Sequence, residues 1–278
     1  MASGVPVNFA MSSPAVALKS IPQTNEKTRS LDFSLIVGIV IALIATIAGI
    51  AATGVRISYF FQPTGALIVL GGTLGVTFVT TPLVSLINSA RRVSSLLWTR
   101  EENRGELIEE MMRFVRTART TGILGIEPMI ERAKNPFLRE SLQLAIDVQQ
   151  RDELKTALEM KIQLRERDAE RDAKTLEVAG GFAPTIGVLG TVVGLIDILR
   201  QFSNLAAVAN GIAMAFVSTI YGLGLANLIL LPAAHRIRAR AAEEFETNEM
   251  ILEGALCLFD GLHPSLVRDR LTAFLRAK

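Results

Sequence analysis

The chain has one cysteine, Cys257, in 278 residues. No disulfide can form within it, and a metal–thiolate cluster is excluded. The only two histidines, His235 and His263, stand apart and have no partner at metal-ligand spacing. No Ser-His-Asp, Cys-His or paired-carboxylate arrangement stands out, which leaves an enzyme reading without residues. Gly187-Val-Leu-Gly190 and Gly222-Leu-Gly224 lack the lysine and the preceding strand of a phosphate-binding loop. The first residues also lack the basic region and cleavage site of a secretory signal. Met11 is an alternative start.

Charge is nearly missing from four stretches: Phe33–Ala52, Thr64–Leu86, Val178–Leu199 and Ala207–Leu231. About 20 apolar residues carry a helix across a hydrocarbon core, so each stretch is a candidate span. Half of all residues are hydrophobic, and the mean hydropathy is positive. The pattern predicts an all-α, polytopic membrane protein with four transmembrane helices and a helical cytoplasmic domain. The expected divisions are a tail at 1–30, two spans at 31–86, a cytoplasmic domain at 87–176, two spans at 177–232 and a cytoplasmic helical segment at 233–278.

Orientation follows from the flanking cations. Arg91 and Arg92 follow the second run, Arg165, Arg167, Arg171 and Lys174 precede the third, and Arg236, Arg238 and Arg240 follow the fourth. The 53–63 and 200–206 connections carry only Arg56 and Arg200. Both termini and the 87–176 domain are therefore expected in the cytoplasm. These basic clusters are read as topology signals, not as a nucleic-acid surface, and the net charge of +2 adds nothing.

In the cytoplasmic domain, Leu107, Met111, Phe114, Val115 and Ala118 recur at helical spacing. Leu142, Leu144, Ile146 and Val148 do so less cleanly. Glu109 and Glu110 with Arg113 are expected on a charged outer face. Gly122 and Gly125 punctuate the first long helix, and Asn135-Pro136 is expected to break the next. The last helix, near Asp152 to Val178, is expected to run on into the third span. Arg119 and Glu127 flank the Gly122–Gly125 turn, as solvated charges or as a docking surface.

In the third run Pro184, Gly187, Thr191 and Gly194 fall on one helix face, and in the fourth Ala215, Thr219, Gly222 and Ala226 do the same. Small faces let backbones approach closely. The pairs Gly38–Ala42 and Ala45–Gly49, and Gly71-Gly72 with Gly75, predict tight packing of the first two spans. Thr191 and Thr219 either bond their own preceding turn or line a narrow polar passage for a cation. Pro184 frees the Gly180 carbonyl and bends its helix, whereas Pro232 is placed to end the fourth. Neither run has an acid at mid-membrane depth, so a titrating carboxylate would come from another chain. Asp197, near the outer end, is read as a surface partner of Arg200.

These pieces, in this order, resemble the MotA/PomA family of flagellar motor stator subunits within the MotA/TolQ/ExbB superfamily. The resemblance covers roughly residues 31–260. It is carried by Leu67-Ile-Val-Leu-Gly-Gly-Thr73 after Pro63, by Ala183-Pro184-Thr-Ile-Gly187 through Gly194-Leu195, and by Met214-Ala215, Ser218-Thr219-Ile-Tyr221-Gly222 and Leu231-Pro232. It implies an inner-membrane ring of five copies around a MotB/PomB-like partner that carries the ion-binding aspartate. It also implies contact with the rotor protein FliG through Arg119 and Glu127, and coupling of ion flow to movement at Pro184 and Pro232. Thr191, Ser218 and Thr219 become the ion-pathway residues. No cofactor is implied beyond the transported cation, and a threonine at Thr191 favours Na+ over H+. The 30-residue leading tail departs from the family. A TolQ/ExbB-type energy transducer is the alternative; those proteins typically have three spans, with the large cytoplasmic section after the first.

Overall fold

The computed structural model describes residues 33–52, 54, 57–96, 103–200 and 203–276. The expected tail at 1–30 lies outside them. Among the described residues every regular element is a helix. The first expected span forms α1 (Phe33–Ala52). A 3-10 turn (Ile57–Phe60) leads to α2 (Pro63–Thr80), which starts with proline in its first turn, where the missing N–H costs nothing. The second span ends at Thr80, not Leu86. Thr81 is extended (φ −133, ψ 134), the conformation favoured before a proline, and Pro82 follows. The chain restarts as α3 (Leu83–Leu96), which buries Ser85 and Ser89 and exposes Leu83, Val84 and Ile87.

The helices expected in the cytoplasm are α4 (Arg104–Thr121), the four-residue α5 (Glu127–Ile130) and α6 (Pro136–Asp147). Asn103 caps α4 by accepting from the Gly105 N–H, and Gly122 ends it with φ +83, a backbone region that favours glycine. Asn135-Pro136 starts a helix instead of breaking one: the Asn135 side chain accepts from Leu138 N–H, and Pro136 occupies the first turn.

As expected, the next helix enters the membrane without interruption. It is α7 (Arg151–Arg200), 50 residues long, with Pro184 inside it. Asn204 caps α8 (Leu205–Gly224) by accepting from the Ala206 and Ala207 N–H groups. A π-helical segment, Leu225–Leu230, then feeds directly into α9 (Leu231–Phe259). Pro232 therefore does not end the fourth helix. The wider π turn precedes the proline, whose ring would crowd a regular α turn. α10 (Pro264–Arg276) follows a turn at Gly261.

Three helices among the described residues are long and apolar enough to cross a membrane: α2, part of α7 and part of the continuous α8–α9 rod. The remaining expected span, the first, falls on α1, whose apolar stretch is the shorter Val40–Ala52.

The cytoplasmic domain is not the contiguous block 87–176. Its core joins α4, α5, α6 and the start of α7 to the far half of α9 and to α10, through Met250, Ile251, Leu256, Val267 and Leu271. Leu138, Leu142, Leu154 and Leu158 are wholly buried there. Each contributes about 1.5–3 kcal/mol of apolar burial. Of the two acids expected on an outer face, one moves inward. Glu110 is buried and accepts from the Lys134 N–H, while Glu109 makes a two-pronged pair with Arg268 of α10.

Candidate functional site

Where α7 crosses α8 the contact is built from residues with almost no side chain. A Cβ on Gly222 would lie 2.5 Å from the Ala183 carbonyl oxygen. On Gly187 it would lie 3.0 Å from the Ser218 carbonyl oxygen, and on Gly194 2.9 Å from the Ala215 nitrogen. Backbone meets backbone, so the two helices approach as closely as the small-residue spacing predicted.

That approach brings Thr191 and Thr219 together. Their hydroxyl oxygens are 2.6 Å apart, and Thr191 Oγ1 is also 2.9 Å from the Ala215 carbonyl across the interface. Its own Gly187 carbonyl lies at 3.2 Å. Both hydrogens are satisfied if Thr219 donates to Thr191 and Thr191 donates to Ala215. Thr191 thus both touches its own turn and bridges to the neighbouring helix. The two side chains are half-buried. Ser218 is wholly buried and faces elsewhere. It donates to the Met214 carbonyl at 2.7 Å and fills the space above Gly65 of α2 and Gly190 of α7.

The segments that carry the two prolines meet one turn below Pro184. Gly180, whose carbonyl loses its N–H partner to Pro184, packs on Leu230 and Leu231, just before Pro232. A Cβ there would be 2.9 Å from Leu231 Cδ2. Arg119 and Glu127 are exposed on either side of the Gly122 turn. The packing expected of the first two spans is only partly present. Gly72 meets Ile186, but Gly38, Gly49, Gly71 and Gly75 have no neighbour within 4 Å in the single chain.

Sequence reasoning missed three anchors. Tyr221 Oη donates to the Phe60 carbonyl and accepts from the Gln62 N–H at 3.2 Å, which pins the α1–α2 connection to α8. Irregular backbone within a membrane bundle needs such partners. Arg92 of α3 bonds buried Asp172 of α7 at 2.9 Å, and Ser89 Oγ donates to the Asp172 carbonyl at 3.0 Å. Arg238, read only as a topology marker, joins α9 to α7 through both oxygens of Glu170, at 2.7 and 2.8 Å, and through Glu177. The guanidinium holds the Glu170 carboxyl below the usual carboxylate range. None of these pairings has a local signal, because each partner lies more than 60 positions away. Cys257 is buried, and burial pushes its thiol up to about 11, so it stays protonated and inert.

Known proteins match this arrangement in two pieces. Residues 36–122 match the family "Motility protein A N-terminal", and residues 129–250 match the MotA/TolQ/ExbB proton channel family. Motility protein A of Bacillus subtilis is 28% identical over 253 residues, covering 89% of this chain and 92% of that protein. Chemotaxis protein PomA of Vibrio alginolyticus is 24% identical over 88% of this chain and 96% of its own length. Among solved structures, the flagellar MotAB stator complex from Bacillus subtilis superposes with a TM-score of 0.79 at 27% identity, covering 88% of this chain and 96% of that one. The C. jejuni MotAB structure shares the fold, with a TM-score of 0.81 at 24% identity. With an N-terminal motility-protein match, a channel-family match and full-length relatives of the same name, the chain belongs to the MotA family.

Proposed function

We propose that this chain is an ion-conducting, torque-generating stator subunit of the bacterial flagellar motor. The observation that carries the mechanism is the hydroxyl pair Thr191–Thr219 at the closest helix crossing. Relatives named Motility protein A and PomA, and the likeness to a MotAB stator complex, support the role. The pair offers oxygen atoms to a cation that sheds water, with Ser218 setting the helix spacing beside it. Neither α7 nor α8 carries an acid at that depth, so the titrating carboxylate belongs to a MotB/PomB-like single-span partner. The cation is Na+ in preference to H+, because a proton needs a relay and an acid but no shell of oxygen ligands.

The chain functions as a ring of five copies in the inner membrane, each with four spans and both termini in the cytoplasm. Ion passage flexes the bundle at Pro184 and Pro232, and Arg119 and Glu127 deliver the movement to FliG. The work is transport and mechanical coupling, without a catalytic centre. Two apolar helices precede the cytoplasmic domain, and the N-terminal match is to motility proteins; both favour a stator over a TolQ/ExbB-type transducer.

Swimming speed against Na+ concentration tests the site. Thr191→Ala, co-expressed with the MotB-like partner, is expected to abolish swimming or shift it to proton dependence. Sodium-driven swimming at unchanged half-saturation would remove Thr191 from the pathway.

A further inference from the structure

We propose that the membrane-distal tip carries a socket for one apolar side chain of the rotor-side partner, a leucine- or phenylalanine-sized anchor on an acidic segment. This rests on the stator reading and adds to it an apolar contact beside the charged one. The tip is where three turns meet. α9 runs away from the membrane and ends at Phe259, α4 lies along it and ends at Gly122, and α7 begins there. Arg151, the first residue of α7, bonds Asp260 at 2.9 Å. A partner in the cytoplasm reaches this end of the molecule first.

Between these turns lies a cavity of about 140 Å³, lined by Val115, Ala118, Arg119, Ile123, Phe259 and Leu262 among others. An apolar cavity of about 150 Å³ holds a benzene molecule, so this one accepts a branched aliphatic or phenyl side chain. Leu124, on the same turn, leaves 66% of its surface exposed and gives the visitor a second apolar contact.

Charge decides what kind of segment brings the anchor. Arg113, Arg116 and Arg119 occupy three-residue steps on the exposed side of α4, and Arg119 itself lines the cavity. Arg113 and Arg116 act through charge on the Glu109 carboxylate, which Arg268 already holds, and among the described residues Arg119 makes no salt bridge. The Asp260 carboxylate beside the cavity is already met by Arg151. A basic row that ends at Arg119, on the rim of a cavity walled mainly by apolar side chains, selects an acidic segment that presents one apolar residue. An apolar anchor seated in a pocket supplies most of such a contact, while charges around it set encounter rate and register.

The test uses the assembled complex of this chain with its MotB-like partner and purified FliG as the binding probe. Ala118→Trp fills the cavity and is expected to weaken FliG binding by about tenfold or more, with assembly and cation conductance unchanged. Ala118→Ser should stay within about twofold of the parent. If the tryptophan variant fails to assemble, Ile123→Gln reads the same cavity from its exposed turn with the same expected loss. Unchanged binding in the cavity variants, with Arg119→Glu still weakening it, overturns the socket and leaves the stator reading standing. If Arg119→Glu and Glu127→Lys also leave FliG binding unchanged, the rotor contact itself is wrong.

Discussion

The α7–α8 crossing and the cytoplasmic core are held together by opposite means. In the membrane, Gly187, Gly194 and Gly222 let backbones touch, and the specific bonds are hydroxyl contacts such as Thr191 to Thr219. In the domain outside the apolar spans, wholly buried Met111, Phe137, Leu142 and Leu154 fill the space between helices. The difference follows from the solvent. Water drives large apolar side chains together, whereas lipid gives no such drive, so helices associate there through contact and hydrogen bonding. A crossing without side-chain bulk also places hydroxyl oxygens close together, which a core of leucines cannot do.

Adding bulk to the crossing should have the largest effect. Gly222→Val is expected to abolish the complex, because its Cβ would lie 2.5 Å from a backbone oxygen that has nowhere to go. Membrane abundance and co-purification with the MotB-like partner check this, and normal assembly would show the crossing to be looser than drawn. Removing bulk from the cytoplasmic core should cost less and leave conduction intact. Leu142→Ala is expected to lose about 2–5 kcal/mol, read from denaturation of the purified complex. A loss of conductance with unchanged stability would mean that the two regions are not built separately.

The smallest effect is electrostatic. Arg268 holds the Glu109 carboxyl below its usual range by hydrogen bonding and charge. A depressed carboxylate gives its stability fully above the unfolded-state value, and loses it as pH falls through the folded-state value. Glu109→Gln should therefore lower stability slightly at neutral pH, where the pair contributes fully, leave strongly acidic pH unaffected, and so flatten the acid side of the profile; the effect is small because the pair is largely exposed. Identical acid-side profiles for parent and variant would remove this pair from the account.

Much of the membrane half was legible because period-3.6 spacing of small residues maps directly onto a contact face. Gly187, Thr191 and Gly194 were placed on the contact face from spacing alone. Thr81 and Pro82 were read through, although the residue before a proline is a known helix boundary. The cytoplasmic domain was harder, because α9 and α10 return to complete a core begun about 140 residues earlier, and local periodicity carries no information on such partners. Glu110 was misplaced for a related reason: its pairing with the Lys134 backbone depends on the turn after α5. Pro232 was read as a helix end because the π segment before it leaves no compositional trace in Leu225–Leu230.

The unbroken run of α7 has a mechanical consequence. From Pro184 to Arg151 the helix is a rigid arm of about 50 Å, at 1.5 Å per residue. A tilt of a single degree at the proline sweeps the far end through about 0.9 Å. Tilts of only a few degrees in the bilayer thus become displacements the size of an atom or more at the opposite extremity, without any joint in between to dissipate them.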